Sequence, residues 1–553
     1  MSENNKNHFD IVIIGAGIGG LTSAALLSKS GLSVCVLEAN AQAGGYLAKY
    51  EKNGYIFDTS IHWLNSCGPD GIVTKIFKFI GKDFPAAQPQ RRIKRYLGED
   101  FDFLLTNNPD ELKNQLQQKY PDEKEGIEKF FTAAKKLRPS LNSFHKLFRS
   151  GETMNIFELA KYHLSRLKFA LPFIKYLKYS GSKGKTKGLN KFFSTRQLHD
   201  MFANEDDLLS CLIPIAWAYN HDFQNPPEGG SFTYPKWLKH IIKFYGNKII
   251  YNAKAKSIIV ENKKCKSVIY ERNGENVEVF GEQIIAAIDI GSLYEKMLPK
   301  KYIAPKFLEK MQSAELYSSA FTIYISLDCP ASQLGFNEEM ISFMDKEDTH
   351  AENEKLTFES KEIAVFSQSE RDKTMAPEGC GSLTVIMPAY FDSNKNWLTT
   401  TDEHGNIIRG SEYKKLKDDY AKVLISRVEK KLSINLRKHI ISYEIATPIS
   451  YWRYTNNRYG SMMGAKPGKK NMMSGIAHYK TPLKGLYIGG HWAELGGGVP
   501  IAVKAAVNAS LLVLQERKHK AYKLIVDYLS DKKSIEEIAD EGVFLDYDDS
   551  FKP

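Results

Sequence analysis

Four glycines and one glutamate near the N-terminus have the residue types and the spacing that bind a dinucleotide. The glycines are Gly15, Gly17, Gly19 and Gly20, and the acid is Glu38. Gly15 permits a tight turn, Gly17 lets the backbone approach a pyrophosphate, and Gly20 lets a helix pack closely on a strand. Glu38 can accept hydrogen bonds from ribose hydroxyl groups, and its negative charge disfavours a 2′-phosphate.

The elements that must position these residues are a strand, a helix and a second strand. Residues 11–14 form an apolar run that is too short for a helix and rich in β-branched side chains, which predicts a buried parallel strand. Residues 21–30 are rich in alanine and leucine and stop before Gly31, a pattern typical of a helix with a C-terminal glycine. Residues 33–37 predict the second strand, which ends at Glu38. Together these parts indicate a βαβ unit, a stronger signal than the glycines alone.

A second pair of glycines, Gly44 and Gly45, allows another close contact between the backbone and a cofactor. The whole pattern resembles the FAD-binding N-terminus of the amine oxidase and phytoene desaturase superfamily. The resemblance implies noncovalently bound FAD and an external reductant such as NAD(P)H. It also implies an α/β fold, in which a Rossmann-like FAD-binding domain is interleaved with an α+β substrate domain.

The C-terminal third carries further residues that the resemblance assigns to the flavin. They are Gly490, Gly497, Gly498 and Val499. Pro500 marks the start of a helix over 501–515, because proline at the first helical turn needs no N–H group. The positive end of that helix would face the flavin and stabilise its reduced form. The resemblance also implies a backbone contact to the adenosine half of FAD at Ala255.

Four stretches match phytoene desaturase-like proteins, especially the branch of carotenoid isomerases and retinol saturases. They are the N-terminal glycine block, PEGG at 227–230 with the elements after it, SERDKTMAPEG with SLTVIM at 369–387, and TPLKGLYIGGHWAELGGGVPIAV at 481–503. The resemblance implies an FAD-dependent oxidoreductase that acts on carbon–carbon double bonds of a long apolar polyene or isoprenoid. Saturation, isomerisation and desaturation of a carotenoid- or retinoid-like lipid all stay open, because fold alone does not decide among them.

The stretch FDTSIHWL at 57–64 is similar to a segment of retinol saturases and their bacterial relatives, with Ser60 where a glycine is common. The similarity favours a reaction that uses reduced flavin. His62 is the candidate proton donor, because histidine can titrate near neutral pH. A histidine that is satisfied by local hydrogen bonds is an equally open interpretation. Trp63 would line an apolar tunnel for the polyene.

Two other functions share this fold. An FAD amine or amino-acid oxidase would need an aromatic cage or a carboxylate clamp near the flavin, which the sequence cannot locate. A prenyl-binding protein similar to the Rab escort and GDI class would hold an isoprenoid without catalysis. The intact glycine block, Glu38 and the C-terminal glycines favour an enzyme.

The predicted domains are interleaved along a chain of 553 residues, which is long enough for two domains. The FAD-binding domain takes residues 1–84, 229–295 and 451–530, and the membrane-facing substrate domain takes residues 85–228 and 296–450. Strands of the substrate domain are predicted at 321–327, 362–367 and 381–387. Residues 531–553 form an acidic tail, and the polar run at 346–361 predicts a surface loop.

Residues 161–191 contain nine lysines and arginines and no acid, interleaved with apolar side chains. The net charge of the chain is +11, so this segment holds most of the excess (11 − 9 = 2). Pro172 and the lysines interrupt every apolar run well short of the roughly 20 residues that span a bilayer. A basic amphipathic helix that lies on a membrane surface fits the pattern. A solvated helix whose lysine stems cover the core is the alternative.

The remaining composition bounds the compartment and the partners. The six cysteines show neither paired nor metal-ligand spacing, which predicts a reducing compartment and no metal site. The first ten residues are polar and lack an apolar signal segment, so a cytoplasmic, peripherally membrane-associated protein is expected. No recognised nucleic-acid-binding module accompanies the positive charge, which disfavours nucleic acid as a partner.

Overall fold

The computed structural model describes residues 7–344, 362–392, 396–403 and 406–551 of the chain. The predicted surface loop at 346–361 therefore lies outside the described residues. Two seven-stranded sheets organise the described part. The helices of eight residues or more are Ile18–Lys29, Ile72–Ile80, Pro109–Lys119, Lys124–Lys135, Ile156–Leu177, Gly181–Leu189, Leu208–Tyr219, Thr233–Phe244, Pro305–Gln312, Ser411–Leu432, Pro448–Thr455, Val499–Glu516 and Ala521–Leu529.

The first sheet is built around the strand His8–Ile14. This strand pairs in parallel with Val34–Leu37 on one side and with Glu275–Ala286 on the other. The end of Glu275–Ala286 also pairs in parallel with Leu486–Ile488. The remaining strands of the sheet are Lys248–Ile250, Lys254–Glu261 and Lys264–Arg272. The central strands are buried on both faces, which explains why their sequences are continuous apolar runs.

The predicted strand–helix–strand unit is confirmed. The helix is Ile18–Lys29, so it begins three residues earlier than its apolar pattern indicates. Gly31 has a φ of +82°, the left-handed conformation expected of a glycine after a helix. The second helix predicted near the flavin is also confirmed, as Val499–Glu516 with Pro500 in its first turn.

The second sheet is mostly antiparallel. Its strands, in spatial order, are Ile440–Ala446, Ser319–Leu327, Gly381–Ala389, Ile363–Phe366, Met340–Phe343, Arg92–Leu97 and Asp102–Thr106. The three strands predicted for the substrate domain are confirmed within two residues at each end. Helix Ser411–Leu432 contributes its buried residues to the core on one side of this sheet.

The two sheets draw their strands from alternating parts of the chain. Every strand of the first sheet falls within 1–84, 229–295 or 451–530, and every strand of the second sheet falls within 85–228 or 296–450. The exact domain boundaries stay a prediction. The acidic tail packs on the first domain, where the Leu545 N–H donates to the carbonyl oxygen of Lys29 at 2.8 Å.

One helix in the described part, Val499–Glu516, is long and apolar enough to cross a membrane by length and composition. Most of its residues are buried in the core of the first domain. Its N-terminal end lies at the cavity described next.

Candidate functional site

A cavity of about 910 Å³ is lined by residues from both sheets. It brings together twelve of the fourteen residues that the sequence singles out, although they come from five separate parts of the chain. They are Gly15, Gly17, Gly19, Glu38, Gly44, Gly45, His62, Trp63, Ala255, Gly490, Gly498 and Val499. The other two, Gly20 and Gly497, lie behind the wall of the cavity.

The end of the cavity at the first sheet is a glycine cradle formed by Gly15, Gly17, Gly44 and Gly45. In the part of the chain that the structure describes, a Cβ atom at Gly17 would meet no atom within 4 Å, because it would point into the open cavity. Gly17 is also the N-cap of helix Ile18–Lys29, so the N–H groups of the first turn begin at this surface. Free N–H groups and the positive helix end make this a site for phosphate. The cradle therefore fits the pyrophosphate of a dinucleotide.

Glu38 lies beside the cradle, buried at the end of its strand. Its Oε2 accepts a hydrogen bond from the Ala16 N–H at 2.8 Å, and its Oε1 accepts from the Asn40 N–H at 2.9 Å. Burial raises the pKa of Glu38, and these hydrogen bonds offset part of the rise. A carboxylate has about four acceptor positions, so Glu38 can hold the cradle loop and still accept from a ribose hydroxyl. Ala255, predicted to contact the adenosine half, lines the same end.

The second helix aimed at the cavity begins at Val499, with Gly498 as its N-cap at a φ of +84°. Its first turn and Gly490 line the cavity, so a second positive helix end faces the bound ligand. Gly497 differs from its predicted role. A Cβ atom there would lie 2.5 Å from the Cβ of Met463, so this glycine allows two chain segments to pack and does not line the cavity.

Apolar side chains of the second sheet line the other end of the cavity, next to the ion pair between Lys94 and Glu205. Met340, Ile363, Phe366 and Ile386 come from three neighbouring strands of that sheet. Trp63 lines the cavity with its ring stacked on Phe366, at 6.1 Å between ring centroids, and is 40% exposed. Such a surface binds an apolar chain through contact area and contributes little directional hydrogen bonding.

His62 lies in the wall of the cavity, where its ring stacks on Phe366 at 4.3 Å between centroids. Burial, together with the smaller effect of the charge of Arg371, lowers the pKa of His62 to about 3. The prediction that His62 titrates near neutral pH is therefore wrong, because desolvation disfavours the imidazolium ion. If His62 passes a proton, it must therefore lose one proton and gain another while its ring stays neutral.

Several residues of the cavity wall have no recognisable sequence signal. His491 is one, and burial lowers its pKa to about 4. Asn457 is another; its Oδ1 accepts from the Trp492 indole N–H at 2.7 Å, and its amide donates to the carbonyl oxygen of Ser461 at 2.7 Å. Only the position of His491 directly after the glycine pair could have indicated its place.

Outside the cavity, the structure groups three potential metal ligands that the sequence spacing does not show. The donor atoms of Asp328, Cys329 and His439 lie within 4.8 Å of one another, at the ends of neighbouring strands of the second sheet. His439 Nδ1 and Asp328 Oδ1 are 2.9 Å apart, a hydrogen-bond distance that accounts for two of the three groups without an ion.

Comparison with known proteins supports a dinucleotide-binding fold. Residues 13–80 match the family described as NAD(P)-binding Rossmann-like domain. Over 89% of its length, the chain is 26% identical to prolycopene isomerase of Daucus carota and covers 78% of that protein. It is 23% identical to all-trans-retinol 13,14-reductase of Danio rerio (92% and 86% covered). It is 21% identical to a 4,4′-diapophytoene desaturase of Methylomonas sp. (93% and 96% covered).

Among solved structures, putrescine oxidase bound to putrescine superposes with a TM-score of 0.57 at 12% identity, covering 92% of this chain and 99% of that one. This likeness shows the fold alone. The predicted fold class, a Rossmann-like dinucleotide-binding domain within an α/β chain of amine oxidase-like fold, is confirmed. The cavity then joins a dinucleotide cradle to an apolar surface, an arrangement that can bring a redox cofactor against an apolar substrate.

We expect His62 to make stability depend on pH. Below about pH 6.5 the unfolded chain protonates this histidine, while the folded chain keeps it neutral to about pH 3. The free energy of unfolding should therefore fall by up to about 1.4 kcal/mol per pH unit as the pH decreases. Urea unfolding of the wild type and His62→Gln at several pH values measures this, and the variant should show the shallower slope. Equal slopes would contradict a buried neutral imidazole.

Proposed function

We propose that this phytoene desaturase-like chain is an FAD-dependent oxidoreductase that acts on carbon–carbon double bonds of a long apolar polyene or isoprenoid lipid. The observation that carries the proposal is the continuity of one cavity from the glycine cradle to the apolar strands of the second sheet. A dinucleotide and an apolar chain would meet within it. The names of the relatives, an isomerase of prolycopene, a reductase of retinol and a desaturase of diapophytoene, support the same chemistry.

The residues of the chain would bind FAD noncovalently. The cradle and helix Ile18–Lys29 would hold the pyrophosphate, Glu38 the ribose, and the end of helix Val499–Glu516 the flavin ring. Bound FAD would supply hydride transfer to or from its isoalloxazine ring, with NAD(P)H as an external reductant where reduced flavin is needed. The protein would orient the double bond, exclude water and handle the accompanying proton.

An amine oxidase function finds support at the level of fold alone, through the likeness to putrescine oxidase. A prenyl-binding protein without catalysis needs no dinucleotide cradle, which this chain has. The apolar wall of the cavity favours a lipid substrate over a small cationic amine.

We expect Gly17→Val to prevent FAD binding, because the valine methyl groups would occupy the space of the pyrophosphate. Gly410→Val is a matched control. Both glycines are helix N-caps with a φ near −70°, and at both an added Cβ would meet no atom of the described residues within 4 Å, but Gly410 lies on the surface. Absorbance of the purified proteins after reconstitution measures FAD content. Normal FAD content in the Gly17 variant would contradict the cradle.

The activity is tested by incubating FAD-loaded protein with prolycopene, all-trans-retinol or 4,4′-diapophytoene, each under oxidised and reduced conditions. We expect a saturated or isomerised product from reduced protein. Product from oxidised protein alone would instead establish a desaturase. Absence of product from all three probes under both conditions would count against the proposed function.

We expect His62→Gln to slow conversion by about 10²-fold if its imidazole passes the proton, with an unchanged flavin spectrum. His478→Gln is the control, because His478 is also largely buried but does not line the cavity. Chromatography of the products measures both variants. Wild-type turnover by the His62 variant would remove this residue from the reaction.

We further propose that helix Ile156–Leu177 docks on a lipid surface, so that the protein is a peripheral membrane protein of the cytoplasm. The helix exposes a stripe of large apolar side chains, and Phe157 is 86% exposed. The stripe consists of Ile156, Phe157, Leu164, Leu167, Leu171, Ile174 and Leu177. Most of these residues recur every three or four positions, which places them on one face. An exposed apolar patch of this kind marks a docking surface.

Charge favours an anionic bilayer as the partner of this stripe. Exposed lysines, among them Lys161, Lys168, Lys175 and Lys178, lie on the same helix or at its end. One basic residue of the predicted membrane segment, Lys185, is not part of this surface. It is fully buried and donates to two backbone carbonyl oxygens. Interfacial helices combine an apolar face in the acyl boundary with lysines at the phosphates, and this helix carries both kinds of side chain.

We expect the protein to co-sediment with phosphatidylserine vesicles and to be released at high salt, because roughly 1 kcal/mol per lysine is screened. Changing Lys168, Lys175 and Lys178 to glutamate should abolish sedimentation while FAD stays bound. Three exposed lysines of the equally long helix Ser411–Leu432, changed to glutamate in the same way, provide the control: Lys414, Lys415 and Lys430. Equal sedimentation of both triple variants would refute the docking surface, and dimerisation through the stripe would identify a second copy as its partner.

A further inference from the structure

A second cavity, of about 270 Å³, lies behind His62. Among the described residues, only His62 lines both this cavity and the main one. The second cavity is polar: Asp58, Asn225 and Arg371 line it, and the buried Asn225 Oδ1 has no hydrogen-bond partner in the described part of the chain. Exposed Glu228 also lines it, so the cavity reaches the protein surface.

We propose that this second cavity is the chamber through which the active site exchanges protons with solvent, with Asp58 as its acid–base group and His62 as the residue that passes the proton into the main cavity. The proposal rests on the proposed function. A double bond that becomes single gains one hydride and one proton, and the reverse reaction releases both. The two electrons travel with the hydride. A flavin that gives the hydride would be restored by a nicotinamide-type reductant, and a flavin that takes it would be restored by an electron acceptor. The proton needs a separate path, which these residues provide.

Asp58 is suited to this role by its surroundings. Its Oδ1 accepts two hydrogen bonds from Ser231, from the N–H at 2.8 Å and from the hydroxyl at 2.7 Å. Burial raises the pKa of Asp58 to about 6; the Ser231 bonds and the charge of Arg371 oppose the rise, and Asp372 adds to it. Of the other titratable groups, His62 and Glu228 line the same cavity as Asp58, and Tyr324 interacts with it electrostatically. Near neutral pH, Asp58 can therefore both take up and give up a proton.

Gln368 determines which nitrogen of His62 carries the hydrogen. Its amide is clamped by the backbone of Asp58: the Asp58 N–H donates to Gln368 Oε1 at 3.2 Å, and Gln368 Nε2 donates to the Asp58 carbonyl oxygen at 3.3 Å. The clamp leaves the donor Nε2 facing His62 Nδ1, at 3.5 Å. Because an amide nitrogen only donates, His62 Nδ1 is the acceptor and Nε2 carries the hydrogen. Gln368 is thus a positioning residue.

This tautomer lets a neutral ring pass a proton. His62 Nε2 is buried and has no hydrogen-bond partner among the described residues, so its N–H is available to a substrate. His62 Nε2–H gives its proton to the substrate carbon. At the same time Nδ1 takes up a proton that Asp58 supplies through the second cavity, and this new bond replaces the long contact between Nδ1 and Gln368. The ring stays neutral throughout, so the low pKa of His62 does not oppose the transfer. Desaturation runs the same path in reverse.

The test compares Asp58→Asn with Asp222→Asn in the FAD-loaded protein. Burial raises the pKa of Asp222 to about 6 as well, but Asp222 lines neither cavity. The wild type and the Asp222 variant should show an inflection of conversion rate near pH 6, and the Asp58 variant should lack it and be about tenfold slower or more. The rate should fall above the inflection for saturation and rise for desaturation. An inflection that persists in the Asp58 variant would overturn the proposal.

A spectroscopic measurement tests the role of the second cavity in proton exchange even if none of the three lipid probes is converted. In infrared difference spectra between about pH 5 and about pH 7.5, the wild type should show a protonated carboxyl band that shifts rapidly in deuterated water and is missing in Asp58→Asn. Gln368→Leu should change the ¹⁵N signals of His62 away from the Nε2–H form, without loss of FAD. If turnover occurs but the band is absent or exchanges slowly, the chamber is refuted and the proposed function stands.

Discussion

The close approach of one helix to one strand determines what the site can bind. A Cβ atom at Gly20 would lie 2.0 Å from the carbonyl oxygen of Gly15, so the helix can begin here only with glycine. Gly19 repeats the constraint against the C-terminal part of the chain, where a Cβ atom would lie 2.8 Å from the carbonyl oxygen of Gly489. These contacts bring two segments distant in sequence to one point and leave open space in front of Gly17. The site thus depends on the absence of a side chain at Gly17, Gly19 and Gly20.

Local patterns were sufficient to predict the parts of the fold that local physics determines. The strand–helix–strand unit, the helix after Pro500 and three strands of the second sheet follow from apolar periodicity, glycine and proline. The surroundings of His62 could not be predicted in this way. Gln368 lies 306 residues further along the chain, and no spacing rule connects the two positions. Lys185 likewise looks like a surface lysine until the fold buries it.

Burial acts in opposite directions on the pKa values of Asp58 and His62. It raises the pKa of Asp58 and lowers the pKa of His62, because in both cases the charged form loses its hydration. At His62, which lines the main cavity, the result is an uncharged ring next to the apolar end of that cavity. A lipid can lie against such a ring without burying an unpaired charge, which would cost several kcal/mol.

The interleaving of the two sheets has a consequence for the synthesis of the protein. The strand Glu275–Ala286 leaves the ribosome long before its parallel partner Leu486–Ile488. Likewise, the Ser23 hydroxyl donates a hydrogen bond to the carbonyl oxygen of Ala506, which is synthesised 483 residues later. At roughly 5–20 residues per second, that delay lasts roughly 25–100 s. During this time the nascent first domain exposes an unpaired strand edge, a surface prone to aggregation. We therefore expect the dinucleotide site to be completed late in folding, after the C-terminal part of the chain has been synthesised.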